Sequence, residues 1–85
     1  MYKVVFNRTE TYNGHCTEKE VHECPHQFRL KSKAVHYVRE IVQINFIREG
    51  YETEAIAKGG LICFKSEITS KGNRTIEMII EVKKA

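Results

Sequence analysis

Apolar residues recur along this chain with two different periods, and the changes of period mark out its elements. Tyr2, Val4 and Phe6 alternate with Lys3 and Asn7, the two-residue period of a half-buried strand. Val5 on the opposite side places that strand inside a sheet. The period is lost over Arg8 to Gly14, which ends in the turn signal Asn13-Gly14. That dipeptide closes a loop or, if Thr9 to Tyr12 extends the first strand, a hairpin. Thr17 and Glu20 have the spacing of a capping box, in which hydroxyl and carboxylate each satisfy a free backbone N–H. A short helix from about Glu18 is therefore expected, ended by Pro25. Phe28 and Leu30 then alternate with Arg29 and Lys31, which reads as a short strand with a basic outer side.

From Ser32 to Gly50 the period becomes helical. At about 100° per residue, Ala34, Val35, Val38, Ile41, Val42 and Phe46 share one sector and Lys33, His36, Arg39, Glu40 and Gln43 the opposite one. Ser32 suits an N-cap and Gly50 a terminator. Local alternation through Val42 to Phe46 also admits a strand there, but a helix is expected at least to Gln43. Tyr51 to Lys58 reads as a short helical turn ended by Gly59. Leu61 to Thr69, the turn Ser70-Lys71-Gly72-Asn73, and Thr75 to Lys83 then read as a closing hairpin.

These elements predict one α+β domain over residues 1–85. It has a three- or four-stranded, mainly antiparallel sheet, one main helix at about 32–49 on one face, and a C-terminal β-hairpin at 61–83. Val35, Val38, Ile41, Val42 and Phe46 are expected to pack on Val4, Phe6, Phe64, Ile76, Met78 and Ile80. Tyr37, Ile44 and Ile47 widen the helix beyond a single apolar stripe. This surplus implies a second contact surface, covered by residues 51–58 or by a partner chain.

Composition narrows the function classes. A chain of 85 residues buries only about 60 to 65% of its unfolded surface, which leaves little wall for a substrate pocket. The net charge of +3 is spread evenly: residues 1–31 carry five basic and four acidic groups, 32–60 four and four, and 61–85 five and three. No concentrated positive field of the kind that drives non-specific nucleic-acid binding results. The N-terminal residues lack a secretory apolar run and no segment has the length of a membrane span, so a cytoplasmic protein without membrane contact is expected. Three cysteines in that compartment are free, metal-bound or buried rather than bridged.

Specialised chemistry would start in His15 to His26, which holds three of the four histidines and two of the three cysteines. Cys16, His22, Cys24 and His26, with His15 as a substitute, are the residue types zinc prefers. Their spacing contains no Cys-x-x-Cys knuckle, however, and a Thr17-capped helix would hold His22 and Cys24 about 200° apart around its axis. The helix is the preferred reading, so no cofactor is expected, with zinc the one the composition admits. No oxyanion-forming glycine loop flanks Cys16 or Cys24, and Cys63 reads as a small buried hydrophobe.

For nucleic acid, the candidate residues are Arg29, Lys31 and Lys33, joined by Arg39 from the helix. Lys65, Glu67, Glu77 and Glu81 of the last hairpin mix signs, with no aromatic among them for a base to stack on. The leading expectation is a non-catalytic binding or regulatory protein that acts through a protein interface at Tyr37, Ile44 and Ile47, with self-association as a homodimer one form of it. The alternative is a zinc-stabilised or basic-ridge nucleic-acid-binding module.

Overall fold

Asn13 and Gly14, at φ 49° and 83°, turn the chain tightly back on itself, as a two-residue hairpin requires. The computed structural model describes residues 1–85. It pairs β1 (Tyr2–Tyr12) antiparallel with β2 (His15–Glu23), from Val5↔Glu23 to Tyr12↔His15, with a bulge after Glu10. The capped helix expected from Glu18 is thus replaced by a strand. A two-turn helix leaves most of its own backbone groups unpaired, whereas the ladder on β1 satisfies them along the whole segment. The Thr17 hydroxyl caps nothing and donates to the Glu10 carbonyl at 3.2 Å. Beyond Pro25, only the isolated bridge Tyr2↔Phe28 remains of the strand expected at Phe28 to Leu30.

Helical backbone runs from Lys31 to Arg48 as α1 (Lys31–Tyr37), a π-helical turn (Val38–Val42) and α2 (Gln43–Arg48). Leu30, not Ser32, is the N-cap, and no side chain caps that end. Ala34, Val38 and Val42 are buried and Phe46 packs against them, at a spacing of four residues. On an ideal α-helix such a row drifts about 40° per step. The Gln43 N–H donates to the Val38 carbonyl, an i→i+5 bond that unwinds the helix locally and keeps the row on the sheet.

The helix ends in a Schellman motif. Gly50, at φ 90°, donates to the Ile47 carbonyl at 3.0 Å and Tyr51 to that of Phe46 at 2.9 Å. The Phe46 and Tyr51 rings meet edge to face with centroids 5.0 Å apart. Lys65 Nζ donates to the last carbonyl, Glu49 O, at 3.0 Å, where a cation also suits the helix dipole.

After the helix come β3 (Glu52–Ala55), a 3-10 turn (Ala57–Gly59), β4 (Leu61–Thr69) and β5 (Gly72–Lys84). Of the helical turn expected over Tyr51 to Lys58, only the 3-10 turn at its end forms; Glu52–Ala55 is strand, because β4 offers it a ladder from Glu52↔Phe64 to Ala55↔Leu61. Five strands therefore form one antiparallel sheet in the order β2-β1-β5-β4-β3. The main helix lies on one face, as expected, and its core partners are Val4, Leu61, Cys63 and Ile80. Phe64 is not among them. With Leu61 and Cys63 facing the helix, strand alternation sends Phe64 to the other side. No helix is long and apolar enough to cross a membrane.

Candidate interaction surfaces

Strand geometry scatters the residues that composition had gathered. Cys16 and His22 sit six residues apart on β2, about 20 Å at a strand's rise. His22 Nε2 lies 3.1 Å from Glu20 Oε2, Cys24 Sγ meets the Tyr37 hydroxyl at 3.8 Å, and His26 sets its ring against Phe28 with centroids 4.6 Å apart. No three His, Cys, Asp or Glu side chains converge on a point a metal could occupy. Cys63 is fully buried in the core, and burial pushes its thiol up to about 11.

The basic residues divide. Arg29, Lys31 and Lys33 are exposed around the start of α1. Arg39 leaves them, turning to the opposite flank of the helix, where its guanidinium donates to the Gly60 carbonyl at 2.8 Å. Gln43 points the same way and donates to Thr53 Oγ1 at 3.0 Å. This flank is closed against β3 and the 3-10 turn.

Beyond the helix, the same face of the sheet carries an ion network that composition and period do not reveal. Glu10, only 7% exposed, receives Arg74 Nε at 2.6 Å and an Arg8 terminal nitrogen at 3.0 Å, and Arg74 also reaches Glu67 at 2.7 Å. The hydrogen bonds from Arg74 and then Arg8 hold the Glu10 carboxyl below its ordinary range. The available signal was the pair of charged residues, Arg8 and Glu10, at the two inward positions of β1 that follow Phe6. On β2, the facing carboxylate of Glu20 pushes Glu18 up.

The other flank of the helix is open. Tyr37, Ile41, Asn45 and Glu49 overhang Phe6, Met78 and His22 and enclose a hollow of about 340 Å³. Next to it, Phe28, Arg29, Leu30, Lys33 and His36 surround a second hollow of about 580 Å³. Tyr37 and Ile41 line both, and Tyr37, which reaches across to Cys24 and Phe28, stands between them; the first hollow, over Phe6 and Met78, is the trough beside the helix. Ile41 is 49% exposed on its wall, and Leu30, 58% exposed, lines the second hollow. Of the three residues expected at an interface, Tyr37 lies in the trough. Ile44 and Ile47 are exposed on the helix outside it.

The face of the sheet away from the helix is uncovered. One row across it reads Val21, Asn7, Ile79 and Ile62, and Phe64 stands beside Glu77 and Glu52. The apolar residues here are broken up by Asn7, which donates to Glu81 at 3.1 Å. Phe64 also corrects the expectation of a hairpin face without aromatics, since Lys65 and Glu67 point to the helix side and Phe64 replaces them. No family model, curated protein or solved structure matches this chain.

Proposed function

We propose that this chain is a small non-catalytic binding module that docks a protein partner in the trough beside its helix. The observation that carries this is the concave apolar surface of Phe6, Tyr37, Ile41, Val42, Phe46 and Met78, drawn from the helix, β1 and β5 and left open to solvent. Concave apolar surface with a polar rim is what a partner side chain fills. The non-catalytic reading is supported by the thiols: Cys63 is enclosed in the core, Cys24 meets a tyrosine, and Cys16 donates to the Glu18 carbonyl.

Comparative co-purification tests it, using the intact chain, Ile41→Lys in the trough and Ile68→Lys on the open sheet face. Proteins retained by the intact chain and by Ile68→Lys but lost with Ile41→Lys support the proposal. Loss with Ile68→Lys, or retention unaffected by either change, contradicts it.

Nucleic-acid binding remains the second reading, favoured by one observation: Arg29, Lys31 and Lys33 are all exposed around the start of α1. It predicts a duplex or single strand held at low salt with a steep salt slope.

A further inference from the structure

We propose that the end of the molecule where β1 begins and β5 finishes binds single-stranded nucleic acid, with a base in the hollow beside Phe28 and phosphates on basic residues drawn from across the chain. This rests on the nucleic-acid reading and specifies it: the ligand is a single strand, and the site extends beyond Arg29, Lys31 and Lys33.

Charge that is even along the sequence is uneven in the fold. Tyr2 pairs with Lys84 on one side and bridges to Phe28 on the other, so the last strand and the approach to the helix lie about 10 Å apart, two strand spacings. On the Phe28 side stand Arg29, Lys31 and Lys33, all exposed. On the β5 side, Lys58 of the 3-10 turn joins Lys83 and Lys84 around a hollow of about 320 Å³. Six basic residues from three separate stretches of sequence thus meet at one end. Glu23 and Glu81, which face Val5 from either side, are already held by lysines, Lys3 at 2.9 Å and Lys83 at 3.7 Å. Arg29, Lys31, Lys33, Lys58 and Lys84 have no carboxylate partner. Farther along the sheet the pattern reverses, with Arg8 and Arg74 neutralised by Glu10, Glu18 and Glu67. Unpaired positive charge gathered at one place is what draws phosphates.

Charge alone would suit any polyanion, and the rings distinguish among them. His26 and Phe28 meet at 84° with centroids 4.6 Å apart, and Phe28 and Tyr37 at 37° and 5.4 Å. All three line the hollow of about 580 Å³ that Arg29 and Lys33 also line. Aromatic surface and unpaired cations therefore border one space, the combination that holds single strands by stacking bases and tracking the backbone. A duplex keeps its bases inside the stack and offers none to the hollow. An acidic peptide or an anionic bilayer would use the charge and leave the rings unused.

Fluorescence anisotropy of the intact chain with a labelled single strand of about 12 nucleotides tests this. The comparisons are the same sequence as a duplex, a polyglutamate peptide of equal charge and phosphatidylglycerol vesicles. The single strand is expected to bind roughly tenfold tighter than duplex or peptide. Its affinity should fall with salt at a log–log slope of about −3, the value for four or five phosphates at about 0.7 each. Lys58→Gln and Lys84→Gln should each flatten that slope by about 0.7. His26→Ala should weaken binding roughly tenfold and leave the slope unchanged, which marks stacking rather than charge. All three residues are exposed, and circular dichroism verifies that each variant folds.

Equal binding of polyglutamate, a preference for duplex or vesicles, or a slope untouched by both lysine changes would overturn the proposal. So would a His26→Ala protein that binds the strand as tightly as its parent. If nucleic acid is held through Arg29 and Lys33 while His26, Lys58 and Lys84 are indifferent, this inference fails and the nucleic-acid reading stands. If no nucleic acid is held at low salt, both fail.

Discussion

Gly72 is fixed twice over, by its backbone and by its neighbour. Its φ is +121°, and a Cβ there would collide with the Asn13 side chain. That side chain is itself held by accepting from the Asn73 N–H at 3.0 Å, and the Asn13 N–H donates to the Asn73 carbonyl at 2.9 Å, so Asn13 ties the two hairpin tips together. Gly72→Ala should cost about 1–3 kcal/mol, measured by urea denaturation. Gly14→Ala, at φ +83° with open space around it, should cost less, about 1–2 kcal/mol.

Glu10 gives a prediction with a sign. Its carboxyl is held below the usual 4.5 by Arg74 and Arg8, so the folded state binds its proton less readily than the unfolded chain. The resulting stability is fully present above about pH 4.5 and fades as the pH falls through the lower folded value. Glu10→Gln should lower the melting temperature at neutral pH and flatten its fall in acid. Glu18, raised by Glu20, contributes the opposite slope. A Glu10→Gln protein whose acid transition overlays that of the parent would contradict the network's role.

Among the elements, the π-helical turn explains why a strictly α-helical projection is only partly right. It correctly groups Ala34, Val38, Val42 and Phe46, yet it places Ile41 in the packed sector, and Ile41 is half exposed. Removing Glu40, which is exposed and within the turn, changes the spacing of the buried row from 4, 4, 4 to 4, 3, 4. That is an α-helical pattern, so the deletion should leave the protein folded with helicity retained by circular dichroism.

What was legible in the sequence divides along the same line. The main helix and the strands β1, β4 and β5 bury one face and therefore carry a period. The edge strands do not. β2 places Val21 as its one aliphatic residue among charged and polar neighbours, and β3 reads Glu-Thr-Glu-Ala. Their order comes from backbone ladders to a neighbour that no local pattern announces. Hence Thr17 to Glu20 resembled a capped helix start, and residues 51–58 a helical turn.

For the whole molecule, the arrangement follows from where the chain's two ends meet. β1 and β5, its first and last strands, lie side by side at the sheet's centre, with Tyr2 opposite Lys84. The helix between β2 and β3 then has to cross the sheet, from over β1 at its start to over β3 at its end. The trough opens beside it, and could not be read from the sequence. Phe6, Ile41 and Met78 come from three elements and meet only in the fold. Of the surplus apolar residues on the helix, Tyr37 was found there, while Ile44 and Ile47 face solvent elsewhere.

Site-specific photo-crosslinking tests that placement most directly, with the photoreactive residue at position 41 in one protein and at position 68, 88% exposed on the other face, in a second. The trough predicts a discrete protein adduct from position 41 and none from position 68. Adducts from position 68 alone, or an equal yield from both, would contradict it.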